Sequence, residues 1–226
     1  MCGRFSLNVD PTELHTLIPD LVIDEEVVER YNIAPTQSVV SVLNEPIRKL
    51  SYVQWGLIPH WAKDAKIGSK LINARAETVH EKPSFRSSFN SKRCLILADG
   101  FYEWKNLPGR GEKIPVYFRM NNGKPFAFAG IWDSWDNGSS VPLKTCCIIT
   151  TTANDLVSTA HHRMPVILPP SKFDMWLQPD SVDVKELKNA LSPYPADDMV
   201  AYPVSTKVNN VRNDKSDLVL PLFGNE

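Results

Sequence analysis

The sequence lacks several features that would assign it to a common class of protein. Its longest apolar runs, such as residues 94–98, are far shorter than the about 20 apolar residues that cross a bilayer. Its first residues contain no apolar stretch of the ~7–15 residues that form a secretory signal. Its four cysteines, two of them adjacent, show no zinc-type spacing. We therefore expect a cytoplasmic protein with reduced thiols, no metal, no cofactor and no membrane partner.

The sequence also lacks an excess of charge of either sign, because 25 Lys and Arg residues face 26 Asp and Glu residues. A net charge of −1 excludes a globally basic nucleic-acid binder. The charges are uneven, however: residues 1–30 have a balance of −5, whereas residues 60–95 have a balance of +5. The basic segment fits either contact with a short stretch of phosphate backbone or a solvated loop.

Long uninterrupted helical patterns are scarce, because 18 prolines are spread over the whole chain. Asp10, Pro11 and Glu13 predict one capped helix, which ends at Pro19. Two further short helices are predicted at 171–177 and 181–191, and strands are predicted at 37–43, 47–55, 94–98, 115–120, 125–131, 143–151 and 199–204. Without a repeat or a linker, the pattern predicts a single α+β domain over residues 1–226, built on a mixed, strongly bent sheet.

Cys2 has the most distinctive chemistry in the sequence. An initiator methionine is normally removed before a small residue, which would leave Cys2 with a free α-amine beside its thiol. With a reference pKa of about 7.7–8.0, roughly a tenth of that amine is unprotonated at pH 7. An amine and a thiol on adjacent carbons condense with an aldehyde to a five-membered thiazolidine. Cys2, followed by Gly3 and Arg4, therefore indicates an aldehyde target, although a cysteine after a start codon is most often incidental.

Two further segments place polar side chains in unusual settings. In residues 71–77, Asn73 and Arg75 alternate with small or apolar residues, which is typical of one face of a strand or of a loop with a capping Asn. In residues 95–104, an apolar strand leads into a turn that delivers Glu103 between two aromatic residues. Such a setting raises a carboxyl pKa and suits general acid or base catalysis, unless Glu103 is an exposed strand carboxylate.

Residues 160–165 place two adjacent histidines, His161 and His162, beside Arg163. Histidine titrates near neutral pH and suits proton transfer, whereas a lone histidine is usually structural. The sequence contains no HExxH metal motif, no GxGxxG dinucleotide motif and no P-loop.

Together these segments resemble the SRAP family (SOS-response-associated peptidase domain, abasic-site-processing proteins). The motifs that carry the resemblance follow the family's order over almost the whole chain: MCGRF (1–5), YNIAP (31–35), WG (55–56), INAR (72–75) with Glu77, ADGFYEW (98–104), AHHRMP (160–165), PVS (203–205) and VNN (208–210). Each motif is weak alone, but the set is specific. The resemblance implies an α+β fold with a bent or barrel-like sheet flanked by short helices.

The resemblance also implies covalent capture of abasic sites in single-stranded DNA. The ring-opened sugar of such a site exposes an aldehyde at C1′, with which Cys2 would form a thiazolidine once Met1 is removed, protecting the lesion. Asn73 would position the lesion, Glu103 would be the acid or base in ring opening, and His161 would transfer protons. We expect further DNA contacts from Arg4, Asn32, Trp55, Arg75, Arg163 and Ser205, with Trp55 equally consistent with a core position.

The family name adds lyase and peptidase activities and the SOS response to DNA damage. The peptidase would use Cys2, Glu103 and His161 to cleave a short amino-terminal extension. We expect a monomer in the cytoplasm, on the nucleoid if the source is bacterial. Two other interpretations stay open: an amidohydrolase of the glutamine amidotransferase type, whose mature chains also begin with Cys-Gly, and a non-catalytic module that binds single-stranded DNA.

Overall fold

The computed structural model describes residues 2–107, 109, 111–136, 138–179 and 183–222. The strands in these ranges are β1 (Phe5–Leu7), β2 (Arg30–Ile33), β3 (Ser38–Leu43), β4 (Leu50–Trp55), β5 (Asn73–Arg75), β6 (Arg93–Ala98), β7 (Gly100–Asn106), β8 (Lys113–Met120), β9 (Phe126–Trp135), β10 (Leu143–Thr152), β11 (Arg163–Pro165), β12 (Ile167–Leu168) and β13 (Met199–Pro203).

The α-helices in the same ranges are short: α1 (Pro11–Leu17), α2 (Arg86–Ser91), α3 (Asp155–Ser158), α4 (Phe173–Leu177) and α5 (Val184–Asn189). Turns of 3₁₀ helix lie at Ala65–Lys70, Pro170–Lys172, Ala196–Asp198, Thr206–Asn209 and Ser216–Val219. Within the described part of the chain, no helix is long and apolar enough to cross a membrane.

Strands β10, β4, β3, β6 and β9 form a closed barrel. Each pairs with the next in that order, and β9 pairs back onto β10. The β10–β4 pairing is parallel and the other pairings around the ring are antiparallel. Strands β5, β11 and β12 extend the barrel at its edges. The predicted α+β fold with a mixed, barrel-like sheet is thus confirmed.

A second, antiparallel sheet packs against the barrel, with strand order β13, β8, β7, β1 and β2. The contact is aromatic: the ring centroid of Phe5 in β1 lies 5.2 Å from that of Trp55 and 5.6 Å from that of Phe128. The other face of this sheet carries a separate buried cluster of Tyr102, Tyr117, Val204, Val208 and Leu218. Strands β1 and β7 therefore lie between the barrel and the carboxy-terminal segment.

The predicted elements occur with shifted ends. Helix α1 begins at Pro11, with Asp10 as its cap and a capping box to Glu13, as predicted. The strand predicted at 47–55 begins only at Leu50. The helix predicted at 181–191 is α5, although residues 181 and 182 lie outside the described residues.

Asp99 and Gly100 predict a turn, but Gly100 already belongs to β7. A Cβ atom at Gly100 would lie 2.1 Å from the ring of Tyr117 in the neighbouring strand. Glycine is therefore required at this position by close packing. Asn122 followed by Gly123 is a turn signal in the sequence, and the structure has a turn there between β8 and β9, with a φ of +73° at Gly123.

Candidate functional site

Cys2 lies just before β1 and is fully buried. Its carbonyl oxygen accepts a hydrogen bond from Nδ2 of Asn73 at 2.8 Å. Burial, followed by the nearby charge of Glu103, raises the pKa of the Cys2 thiol well above its ordinary value. The thiol is therefore neutral at pH 7 and needs a base to become a nucleophile.

Glu103 lies in β7, which pairs with β1, the strand that follows Cys2. The register of the β1–β7 pair, continued beyond Phe5 and Phe101, places Glu103 opposite Gly3. Glu103 is only 4% exposed, and this burial raises the pKa of its carboxyl from 4.5 to about 7. A carboxyl that is half-ionised near neutral pH can both donate and accept a proton.

Asn73 is the first residue of β5, which pairs in parallel with β10. Its Nδ2 is committed to Cys2, while its Oδ1 is buried without a hydrogen-bond partner among the described residues. A buried acceptor of this kind costs free energy unless another group supplies a donor. One end of the Asn73 amide therefore holds Cys2, and the other is a buried acceptor that lacks a donor among the described residues.

His161 lies two residues before β11, and β11 pairs with the edge of β10 opposite to β5, the strand that begins at Asn73. Its Nδ1 accepts a hydrogen bond from the backbone N–H of Arg163 at 2.9 Å, and its ring stacks on His162 with centroids 4.4 Å apart. Burial lowers the pKa of His161, which keeps the imidazole neutral at pH 7. The structure thus brings Cys2, Asn73 and Glu103 together and sets His161 on a neighbouring segment.

Arg163 is a predicted phosphate contact, but its guanidinium is committed inside the protein. It donates to the two carboxylate oxygens of Glu77 at 2.6 and 3.0 Å and to the carbonyl oxygen of Thr150 at 2.6 Å. Its hydrogen bonds hold the pKa of Glu77 below the usual range. Arg75, in contrast, is exposed and open to a phosphate group.

Trp55 and Asn32, two other predicted DNA contacts, have no exposed surface. The indole Nε1 of Trp55 donates to the carbonyl oxygen of Ile72 at 2.9 Å, and its ring packs against Phe5. The structure therefore favours the core interpretation of Trp55. Asn32 is likewise buried, and its amide is hydrogen-bonded to Arg4 and to three backbone carbonyl oxygens at the position where a DNA contact was predicted.

Ser205 and Arg4 both support the carboxy-terminal segment. Ser205 caps the 3₁₀ helix at Thr206–Asn209, its Oγ accepting from a backbone N–H at 3.3 Å. The guanidinium of Arg4 donates to the carbonyl oxygen of Val208 at 2.6 Å and lies 5.8 Å from the ring centroid of Trp104. Burial lowers the pKa of Arg4. Arg4 therefore contributes to internal structure at the position where a phosphate contact was predicted.

An exposed tryptophan on a well-held turn was not predicted from the sequence. The backbone N–H of His60 donates to the Asp133 carboxylate at 2.8 Å, and Nε1 of Trp135 donates to the carbonyl oxygen of Ala62 at 2.7 Å. Trp61, between these two anchors, is 52% exposed. An exposed indole is a surface on which an unstacked base can pack. Its position within the basic segment was a signal that could have revealed it.

The basic segment 60–95 is only partly a surface. Arg93 is fully buried and donates to four backbone carbonyl oxygens, and Lys92 pairs with Asp133 at 2.6 Å. The exposed basic side chains of the segment are those of Lys63, Lys66, Lys70, Arg75, Lys82 and Arg86. Within the described ranges, no three His, Cys, Asp or Glu side chains are grouped so as to hold a metal ion.

Comparison with known proteins gives matches over almost the whole chain. Residues 1–211 match the model of the family described as SOS response associated peptidase (SRAP). The chain is 46% identical over 225 residues to the abasic site processing protein YoqW of Bacillus subtilis (strain 168), covering 97% of this chain and 99% of that protein.

A vertebrate relative and a solved structure extend these matches. Identity is 35% over 197 residues to the abasic site processing protein HMCES of Gallus gallus, covering 77% of this chain and 58% of that protein. A crystal structure of a protein from Bacteroides thetaiotaomicron has a TM-score of 0.86 at 27% identity, and the match covers 98% of this chain and 100% of that one.

Proposed function

The chain belongs to the SOS response associated peptidase (SRAP) family, and from that premise we propose that it processes abasic sites in single-stranded DNA by capturing them as a covalent thiazolidine at Cys2. The observation that carries the proposal is the placement of Cys2, whose carbonyl is held by Asn73 and whose thiol lies within the electrostatic reach of Glu103. Relatives such as YoqW are named for abasic site processing. We propose that residues 1–226 act as one domain, as a monomer in the cytoplasm.

The first step is imine formation. Removal of the residue before Cys2 frees the α-amine, which adds to the C1′ aldehyde of the ring-opened sugar and gives a carbinolamine. Glu103 is protonated in about half of the molecules near pH 7 and donates its proton to the leaving hydroxyl. One water leaves, a protonated imine (iminium) remains, and Glu103 becomes a carboxylate.

The second step closes the ring. The Glu103 carboxylate accepts the S–H proton of Cys2, the sulfur attacks the iminium carbon, and the C=N electron pair returns to the nitrogen, which keeps its hydrogen as the ring N–H. One C–N bond and one C–S bond replace the aldehyde C=O bond, and one water is the only by-product. Neutral His161 carries protons to and from the nitrogen as the crosslink forms and reverses.

Non-covalent binding brings the lesion to this site. The unpaired Oδ1 of Asn73 accepts a hydrogen bond from a sugar hydroxyl, and the exposed guanidinium of Arg75 binds a neighbouring phosphate. A flanking base stacks on Trp61. We expect modest, salt-sensitive affinity, with the covalent bond supplying persistence.

The proposal also includes lyase and peptidase activities. An imine at the α-amine acidifies the C2′ hydrogens and promotes strand cleavage by β-elimination, which thiazolidine closure prevents by consuming the imine. Cleavage of an amino-terminal extension would use Cys2, Glu103 and His161. The names of the relatives favour abasic-site chemistry over glutamine hydrolysis.

The test begins with intact mass, which establishes that Cys2 is the first residue of the purified protein. The protein is then mixed with a single-stranded oligonucleotide that carries one abasic site and run on a denaturing gel without borohydride. We expect a crosslinked band for the wild type and none for Cys2→Ala. The matched control Cys146→Ala removes another buried thiol, in the barrel strand β10, and should keep the band.

The Cys2→Ala variant keeps its α-amine, so borohydride should trap its imine with the same oligonucleotide. A stable band from Cys2→Ala without borohydride would contradict the thiazolidine, as would no band from fully processed wild type. Glutaminase activity would then be assayed. Equal protection of the lesion by Cys2→Ala and wild type would favour a non-catalytic binding module.

A further inference from the structure

The amino-terminal strand and the carboxy-terminal segment meet at a buried asparagine. Asn32, in β2, has no exposed surface. Its Oδ1 accepts a hydrogen bond from Nη1 of Arg4 at 2.7 Å. Its Nδ2 lies within hydrogen-bond distance of three backbone carbonyl oxygens, those of Val208 at 3.2 Å, Asn210 at 3.1 Å and Asn213 at 2.6 Å. One amide group therefore connects Arg4, two residues after Cys2, to the carboxy-terminal segment.

A second contact reaches β7 from the same segment. The indole Nε1 of Trp104 donates to Oδ1 of Asn209 at 2.8 Å, and its ring lies beside the guanidinium of Arg4. Trp104 follows Glu103 in β7, and successive side chains of a strand point to opposite faces. The contact between Trp104 and Asn209 therefore lies on the face of β7 opposite to Glu103. We call Arg4, Asn32, Trp104 and residues 208–213 the bracket.

The bracket holds together the two strands that carry the reacting groups. The backbone N–H of Tyr102 in β7 donates to the carbonyl oxygen of Arg4 at 3.0 Å, which joins the strands next to Glu103. Asn32 has no surface with which to touch DNA, so its influence on DNA chemistry passes through Arg4.

We infer that Asn32 is a positioning residue of the capture site, which through Arg4 fixes the strand bearing Cys2 against the strand bearing Glu103. This inference rests on the function proposed above. Misplacement of a reacting group by about 1 Å can cost about a hundredfold in rate. Asn32→Ala should therefore slow capture of abasic DNA by about ten- to a hundredfold and leave the Kd for unmodified single-stranded DNA within about twofold of wild type.

Asn44 supplies a matched control, because it is also a buried asparagine that bonds through both ends of its amide. Its Nδ2 donates to the carbonyl oxygen of Ser91 and its Oδ1 accepts from Nε1 of Trp132, both at 3.0 Å. Asn44→Ala should lose stability comparably yet capture the lesion at the wild-type rate. Both variants are assayed below their melting transitions, so that only folded protein is compared.

Two further measurements separate positioning from loss of stability. Trp104→Phe keeps an aromatic ring but loses the bond to Asn209, and it should slow capture in the same direction as Asn32→Ala. The nitrile 2-cyanobenzothiazole condenses with amino-terminal 1,2-aminothiols without DNA. The nitrile should label Cys2 faster in Asn32→Ala than in Asn44→Ala. Only the Asn32→Ala variant loses the bond that holds Arg4 and the neighbouring Cys2 in place.

Unchanged capture by folded Asn32→Ala would overturn the inference, and so would an equal loss of capture in Asn32→Ala and Asn44→Ala. If wild-type protein captures no abasic DNA, the proposed function fails. The rate of labelling by the nitrile then tests by itself whether Asn32 positions Cys2. Faster labelling confined to Asn32→Ala would then support positioning of Cys2, whereas equal labelling of the two variants would overturn it.

Discussion

At the scale of the residue, Glu103 faces opposing requirements. A pKa of about 7 permits proton transfer, but the burial that causes it makes the ionised carboxylate unfavourable in the folded protein. Because the pKa is higher in the folded than in the unfolded state, its contribution to stability is fully present below pH 4.5 and is lost as the pH rises through about 7. Chemistry and stability therefore favour different side chains at this position.

Glu103→Gln tests both consequences. We expect capture to slow by about a hundredfold or more and to lose its pH dependence near pH 7, because the amide does not transfer a proton. We expect a gain of roughly 1–3 kcal/mol in the free energy of unfolding at pH 8 and little change at pH 5. Single-turnover crosslinking from pH 5 to 9 and urea denaturation at both pH values measure these effects. An equal gain at pH 5 and pH 8 would contradict burial of the ionised carboxylate as the cause.

The setting of Glu103 could be predicted because its aromatic neighbours are adjacent in sequence. The hydrogen-bond partners of Arg163 and Arg4 could not be predicted, since Glu77 is 86 positions from Arg163 and Asn32 is 28 positions from Arg4. An arginine in a sequence does not indicate whether its guanidinium binds a phosphate or a distant protein group. Only tertiary structure distinguishes these cases.

Arg75 and Arg163 should therefore respond differently to substitution. Arg75→Ala should weaken binding of unmodified single-stranded DNA and leave stability unchanged, because the side chain is exposed. Arg163→Met should lower the free energy of unfolding by about 1–3 kcal/mol, because it leaves the Thr150 carbonyl and Glu77 without their donor. Fluorescence anisotropy and urea denaturation report the two quantities. The reverse pattern would show that Arg163 exchanges Glu77 for DNA.

At the scale of the element, the length of a strand determined whether it could be predicted from the sequence. Strands such as β9 and β10 span ten residues and show a clear preference for β-branched and aromatic residues. Strands β1 and β5 span three residues each, so the alternation at residues 71–77 fitted a loop as well as a strand. Both strands exist because neighbours pair with them. These two short strands carry or adjoin Cys2 and Asn73, so the site lies where sequence patterns are weakest.

Gly100 shows how one missing side chain sets the packing of an element. Gly100→Ala should lower the free energy of unfolding by about 3 kcal/mol, because a Cβ atom 2.1 Å from the Tyr117 ring forces the strands apart. Urea denaturation of the single and double variants measures the coupling. Tyr117→Ala should recover part of the loss, whereas Tyr117→Phe should not, since the ring remains. If the losses in free energy of unfolding from Gly100→Ala and Tyr117→Ala simply added in the double variant, the clash would be contradicted.

At the scale of the whole molecule, the distribution of charge matters more than its total. The net charge is −1, yet Lys63, Lys66, Lys70, Arg75, Lys82 and Arg86 are exposed within one segment. We expect the affinity for unmodified single-stranded DNA to fall with salt, with a log–log slope of about −0.7 per phosphate contact. The yield of preformed crosslink should not change with salt. Titrations at several salt concentrations measure the slope, and a flat affinity would contradict a basic binding surface.

Sequence patterns predicted the fold class and most long strands, but not the closure of the barrel. Closure depends on β9 pairing with β6 on one edge and β10 on the other, with only one of those partners adjacent in the chain. A strand's own residues indicate that it is buried without indicating which strand lies beside it. Strand order therefore had to come from the structure.

The bond between Arg4 and Val208 joins positions 204 residues apart. A ribosome extends a chain at about 5–20 residues per second, so roughly 10–40 s separate the synthesis of the two partners. During that interval a nascent chain carries Cys2 and Arg4 without the segment that Arg4 binds. Under the proposed function, a chain that stops before the segment around Val208 would carry Cys2 without the bond that holds Arg4.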